Sequence, residues 1–290
     1  LEASLQVEMH DPDLAQAWKA GLAMLEIPHE LATLNQRMRP KAEAIIEAWE
    51  AGSSLDAQSD ELALINKACQ QMNEWVRLQA ADLLAAGKIP AVLGGDHSSP
   101  LGLMQALAHR YSDFGILQLD AHLDLRGAYE GFIYSHASIM FNALALPQVS
   151  KLISVGIRDY CLAEEELLNQ QAQRVEAFTW RDLVRAQYQG RNWQQQVNDI
   201  VARLPRQVYL SFDIDGLDPA LCPGTGTPVP GGLQFEEALY LVDQVVASGR
   251  EIIGFDLCEV AGEDEWNAVV GARVLYRLYV AAVKSQSQRT

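Results

Sequence analysis

The chain has 290 residues, 49% of them hydrophobic, and carries 22 Lys plus Arg against 38 Asp plus Glu for a formal charge of −16. That length buries one sizeable core or two small ones, and the acidic balance argues against nucleic acid and anionic membrane as partners while favouring cations. No apolar run reaches the roughly 20 residues that cross a bilayer, and Cys69, Cys161, Cys222 and Cys258 form no CxxC pair, so a soluble, cytoplasmic protein with free thiols is expected.

Up to about residue 88 the apolar spacing is helical. Ala42, Ile45, Ile46, Ala48 and Trp49 predict one helix, and Leu62 through Leu84 predict a longer one that Asp60 starts and Gly87 stops. Both are expected to coat a core. From there short apolar runs end in polar clusters, at 89–93, 115–119, 151–156, 207–212 and 251–255, and these predict buried parallel strands. Helical stretches at 101–111, 164–171, 193–204, 235–248 and 268–283 complete βαβ units, so the fold class is α/β with a parallel sheet wrapped by helices. No repeat or low-complexity linker divides the chain. Residues 1–290 therefore read as a single domain, with a helical N-terminal part over 1–87 and an α/β core over 88–290, and the Pro/Gly-rich stretch 219–232 reads as a functional loop.

The chemistry is written after the strands. Residues 91–93 are followed by Gly94-Gly95-Asp96-His97-Ser98, residues 116–119 by Asp120-Ala121-His122-Leu123-Asp124, and residues 208–212 by Asp213-Ile214-Asp215. In an open α/β sheet that edge is where ligands bind. Side chains alternate along a strand, so Asp120, His122 and Asp124 are expected on one side, and Asp213 and Asp215 likewise. With His97 the set holds two imidazoles and four carboxylates, more than one ion needs and too much negative charge to sit together without cations. A pair of divalent ions sharing Asp ligands resolves both problems. Oxygen and nitrogen donors without thiolate favour manganese, with nickel, cobalt or zinc possible. A lone DxD is usually a solvated turn; three such clusters on three strands are not.

These segments resemble the three metal signatures of the ureohydrolases, the family of arginase, agmatinase and formimidoylglutamase, in order and separation over about residues 88–283. The resemblance implies a three-layer α/β/α architecture around a mostly parallel sheet, two Mn2+ ions, and a homo-oligomer, often a trimer or hexamer. It implies that His97 and Asp124 bind one ion, His122 and Asp215 the other, and that Asp120 and Asp213 bridge. A water activated by the pair would attack the guanidinium carbon. Implied catalytic residues are His136, in the Tyr134-Ser135-His136-Ala137 loop, as proton shuttle, with Asp124 and Glu259. Glu259 would also pair with the substrate guanidinium, and Thr225, in Pro223-Gly224-Thr225-Gly226, would line its slot. Asp96 is expected to orient ligands, and Asp218 to form a turn.

The sequence departs from the arginase pattern where that enzyme reads an amino acid, since Arg126 and Cys161 stand at those places. Asp124-Leu125-Arg126 instead resembles the formimidoylglutamase form, in which Arg126 could grip a substrate carboxylate, or else pair with an acid such as Glu130. Relatives also begin with a strand and a GxPxxxG-like turn, neither visible before residue 40, so either that piece precedes Leu1 or helices replace it. The reading is a manganese-dependent ureohydrolase of agmatinase type acting on a small guanidino molecule. Formimidoylglutamase, another guanidino-acid or guanidine hydrolase follows, then arginase, a catalytically silent binding protein, or a single-zinc deacetylase-like enzyme.

Overall fold

The computed structural model describes residues 17–52, 60–261 and 265–287. Its elements run α1 (His29–Glu50), α2 (Asp60–Ala85), β1 (Ala91–Leu93), α3 (Leu101–Arg110), β2 (Phe114–Leu119), α4 (Ile139–Leu144), β3 (Val149–Ile157), α5 (Leu162–Gln170), β4 (Val175–Thr179), α6 (Trp180–Tyr188), α7 (Trp193–Ala202), β5 (Gln207–Asp213), α8 (Phe235–Ala247), β6 (Glu251–Cys258) and α9 (Glu265–Ser287).

The strands form one all-parallel sheet in the order β1-β6-β5-β2-β3-β4. Alternation along each strand divides the apolar residues between two faces. Leu117, Leu119, Leu210 and Phe212 pack against α6 to α9, whereas Phe114, Ile116 and Tyr209 pack against α2 to α5. Both faces are covered, which is why the inner strands read as continuous apolar runs. The architecture is α/β, in three layers, as the sequence leads one to expect.

Two expectations change at the sheet's edges. The run at 89–93 yields only a three-residue edge strand whose Ala91 and Leu93 are exposed. On the other side β4, with the sequence VEAFT, and the amphipathic α6 that follows it had no clear signal, because only Val175 of that strand is buried. The two N-terminal helices form where expected, but α1 packs on α2 and α2 on α3: α2 lies so close to α3 that a Cβ on Gly102 would meet the Asn73 carbonyl at 2.2 Å. Met38, Ile45, Leu62 and Ile65 form their shared core, while Ile46 and Trp49 face outward. Gly87 adopts a φ of +70° and ends α2 with its N–H on Leu84 O. Among the described residues before β1 there is no strand.

The connection β2 to β3 leaves in one direction along the sheet and β5 to β6 in the other, so the chain's switch point lies between β2 and β5. In open α/β sheets ligands bind at such a point, beyond the carboxyl ends of the strands. Register aligns those ends: Leu119 opposes Val155 and Phe212, Asp213 opposes Cys258, and Leu93 opposes Leu257.

Candidate metal centre and active site

His97, Asp120, Asp124, Asp213 and Asp215 are buried beyond these strand ends, and the side chain of His122 is 23% exposed. His97 Nδ1 sits 3.0 Å from Asp120 Oδ2, 2.9 Å from Asp124 Oδ2 and 3.4 Å from Asp213 Oδ2. His122 Nδ1 lies 3.1 Å from Asp215 Oδ2 and 3.6 Å from Asp120 Oδ1. Asp120 therefore turns one oxygen toward each imidazole. Two groups able to hold a cation result, His97 with Asp120 and Asp213, and Asp120 with His122 and Asp215.

The route to this convergence differs from strand alternation. β2 ends at Leu119 and β5 at Asp213. His122 is reached through an isolated bridge to Asp159, Asp124 adopts a φ of +54°, and Asp215 lies in the single turn Ile214–Gly216. Turns, not extended chain, aim the side chains. They fit because Gly216 lies against the backbone of Asp120, where a Cβ would meet its nitrogen at 2.7 Å.

The donor set fits metal ions on a structural observation. His97 Nδ1 is buried and makes no hydrogen bond of acceptable geometry among the described residues, although three carboxylate oxygens crowd it. Oxygens converging on an orphaned nitrogen are arranged as ligands of a common cation, and burying them otherwise is costly. In the protein alone the charges compensate by proton uptake. Burial opposes charge on both imidazoles, yet the surrounding carboxylates hold His97 well above its usual range and His122 up to about 11. Burial, reinforced by Asp120, raises Asp124 to about 8, and burial with Asp215 and Asp120 raises Asp213.

Behind the ligands stands a buried polar layer that motif reading missed. His97 Nε2 lies 2.9 Å from Ser211 Oγ, and Asp256 accepts from Tyr209 Oη at 2.6 Å and from the Phe212 N–H at 3.2 Å. Gln118 Nε2 donates to Asp120 Oδ2 at 2.8 Å and to the His122 carbonyl, while Ser154 Oγ donates to Gln118 Oε1 at 2.6 Å. Such partners set which imidazole nitrogen faces the ions. His97 and Asp256 also form a third cluster with Cys258, whose thiol burial drives well above its usual pKa in the metal-free protein. The signal for this layer was present: Gln118, Ser154, Ser211 and Asp256 are polar residues inside apolar strands. Arg158 was also missed as a clamp. Its guanidinium donates to the carbonyls of Gly156, Asp215, Leu217 and Val229, tying β3 to the turn after β5 and to the 219–232 loop.

Glu259 follows β6 with a φ of +63°, and its Oε1 accepts the His97 N–H at 2.9 Å. Burial raises its pKa to about 7. Gly226 lies beside it, and Thr225 is buried with no hydrogen-bond partner for its hydroxyl among the described residues. Burial lowers the pKa of His136. Asp96 is exposed and folds the His97 loop by accepting from the Ser98 N–H, and Asp218 caps its own turn through the Ala220 N–H. Arg126 pairs with neither a free surface acid nor Glu130; its Nε lies 3.7 Å from Glu164 Oε2, and its guanidinium lies over Tyr129.

Comparison with known proteins agrees with this geometry. The profile of the arginase family matches residues 23–281. The chain is 32% identical to an N(1)-aminopropylagmatine ureohydrolase of Thermus thermophilus, over 71% of this chain and 67% of that one. It is 35% identical to an agmatinase of Proteus mirabilis, over 74% and 67%. The crystal structure of an agmatine ureohydrolase of Thermoplasma volcanium superposes with a TM-score of 0.64 at 28% identity, covering 77% of this chain and 72% of that one. The chain belongs to the arginase family and is a ureohydrolase, an enzyme that cleaves an amidino C–N bond.

Proposed function

We propose that this ureohydrolase is of agmatinase type and works with two manganese ions, releasing urea and an amine from a small guanidino substrate. The observation that carries the two-ion reading is Asp120, whose oxygens face His97 and His122 separately. His97, Asp120, Asp124 and Asp213 would hold one ion, and His122, Asp215, Asp120 and Asp213 the other. Bound there, two divalent ions supply an activated water near neutral pH and charge stabilisation. The oxygen and nitrogen donor set suits manganese, with nickel, cobalt or zinc as alternatives.

The remaining roles fall to the protein. Glu259 pairs with the substrate guanidinium, and Thr225 and Gly226 form the wall of that slot. Asp124, ionised when it holds an ion, is assigned to accept a proton during the attack. His136 passes a proton to the departing amine; burial keeps its imidazole neutral at rest, ready to take one up. Arg126 supports agmatine over a guanidino acid, because Glu164 and Tyr129 already engage it.

A urea-release assay tests this, on protein loaded with manganese or with nickel, across agmatine, arginine, guanidinobutyrate, guanidine and formimidoylglutamate, with formamide followed in parallel. Urea from agmatine is the expected result. Turnover of an acid or of guanidine alone moves the chain to that branch, with Arg126 as a carboxylate contact. Silence on all of them with both ions bound overturns the proposal. The same reading carries a single-domain, cytoplasmic homo-oligomer, trimer or hexamer, supported for the compartment by four free cysteines and checked for mass by light scattering. Among the described residues no helix is long and apolar enough to cross a membrane.

A further inference from the structure

Arg126 is the middle of a chain of contacts that ends on His136. We propose that Glu164, Arg126 and Tyr129 are positioning residues that fix the orientation of the His136 imidazole. What His136 does rests on the ureohydrolase reading; how it is held rests on geometry.

Glu164 is a buried carboxylate in the first turn of α5. Its Oε1 accepts the Leu125 N–H at 3.0 Å and its Oε2 the Cys161 N–H at 2.9 Å, so it is fixed between the loops that follow β2 and β3. Held this way, it draws Arg126 Nε to 3.7 Å. The guanidinium carbon lies 5.2 Å from the Tyr129 ring centre, within reach of a cation–π contact. Tyr129 also contacts His136, with ring centres 5.7 Å apart and planes at 68°, the edge-to-face arrangement that aromatic rings favour.

Tyr129 is itself rigidly presented. It exchanges both backbone hydrogen bonds with Phe132 across a tight turn with positive φ at Glu130 and Gly131, and Phe132 packs into the core shared by α1 and α2. The backbone at His136 is pinned separately, by the Arg126 N–H on Ala137 O and by the Met140 and Phe141 N–H groups on Asp124 O. Pinning the backbone leaves χ1 and χ2 of the imidazole to be set. Among the described residues no side-chain hydrogen bond holds either ring nitrogen, which leaves the edge-to-face contact with Tyr129 to set the plane of the His136 ring. The half-exposed Arg126 would wander without Glu164, and Tyr129 would lose its cation contact.

The experiment compares Arg126→Met, Arg126→Lys, Tyr129→Leu and Tyr129→Phe in the full-length protein. On manganese-loaded enzyme with agmatine, Arg126→Met and Tyr129→Leu should lower kcat about tenfold with KM held within about twofold. Tyr129→Phe and Arg126→Lys should retain most of it, because these contacts use a ring and a cation and not the phenolic hydroxyl. In zinc-loaded protein, which is diamagnetic, the carbon-13 signal of the His136 ring, identified by its loss in His136→Asn, should move in Arg126→Met and Tyr129→Leu while those of His97 and His122 stay. An unmoved His136 signal overturns the proposal. So does a rise in KM at constant kcat in Arg126→Met, which would make Arg126 a substrate contact. If the wild type releases no urea from agmatine, the activity reading fails and the spectra still decide the positioning.

Discussion

The backbone N–H of His97 donates to the carboxylate of Glu259 at 2.9 Å, and the N–H of Glu259 donates in turn to Gly95 O at 2.8 Å. The loop after β1 and the end of β6 thus lock each other, and a metal-ligand candidate shares a hydrogen bond with the proposed guanidinium partner. A carboxylate spent partly on a backbone donor keeps its second oxygen for substrate. Glu259→Gln retains an acceptor for His97 and loses the charge, so it should raise KM for a guanidinium substrate at least tenfold with metal content unchanged, measured by steady-state kinetics and metal analysis.

The same residue gives a pH dependence. Burial lifts Glu259 to about 7, and a bound guanidinium favours its ionised form, so binding releases a proton wherever Glu259 is still protonated. Affinity should therefore fall as pH drops through about 7 and level off above it. A KM for agmatine that is flat from about pH 6 to 9 would contradict this assignment.

Metal uptake should release protons. Carboxylates hold His122 up to about 11 and His97 well above its usual range in the metal-free site, and an imidazole must be neutral to bind an ion. Apparent affinity should rise with pH, and calorimetry in buffers of different ionisation enthalpy should count the protons displaced. For the metal-free protein the sign is opposite: a raised imidazole pKa contributes stability below the unfolded value of about 6.5, and that contribution is lost as pH climbs toward about 11. Manganese at about 100 times its Kd should restore roughly 2.7 kcal/mol per site and raise Tm.

Asp120 and Asp213 are predicted to be shared. Asp120→Ala or Asp213→Ala should lower occupancy at both ions and lower stability as well as activity, because the remaining carboxylates then face one another less well neutralised. Both ions found at full occupancy by elemental analysis in the two variants would sink the bridging assignment.

Arg158 ties three segments together through backbone carbonyls, including the carbonyl of Asp215 at 2.6 Å. A lysine ammonium cannot span those acceptors. Arg158→Lys should cost about 2 kcal/mol in urea unfolding and loosen the 219–232 loop, seen as faster proteolysis there, with the loss relieved only in part by saturating metal.

Much of this was legible in the sequence because it is local. Apolar runs ending in GGDHS, DAHLD and DID placed six candidate ligands at one edge of a parallel sheet, since a strand buried on both faces must be apolar and its carboxyl end is where polar residues can resume. The edges of the sheet were not legible: β1 and β4 bury too little surface to impose a pattern.

What the tertiary structure alone decided is which residues meet. No spacing relates Glu164 to Arg126, or Arg158 to Val229, because those contacts depend on how the ends of β2, β3 and β5 align in register. Nor could alternation say that Asp124 and Asp215 reach the cluster through a left-handed residue and a single helical turn. The chain sequence specifies the ligand inventory, since burying those side chains apart from one another would be prohibitive. Their geometry, and the polar layer of Gln118, Ser211 and Asp256 behind them, comes from packing between segments distant in sequence.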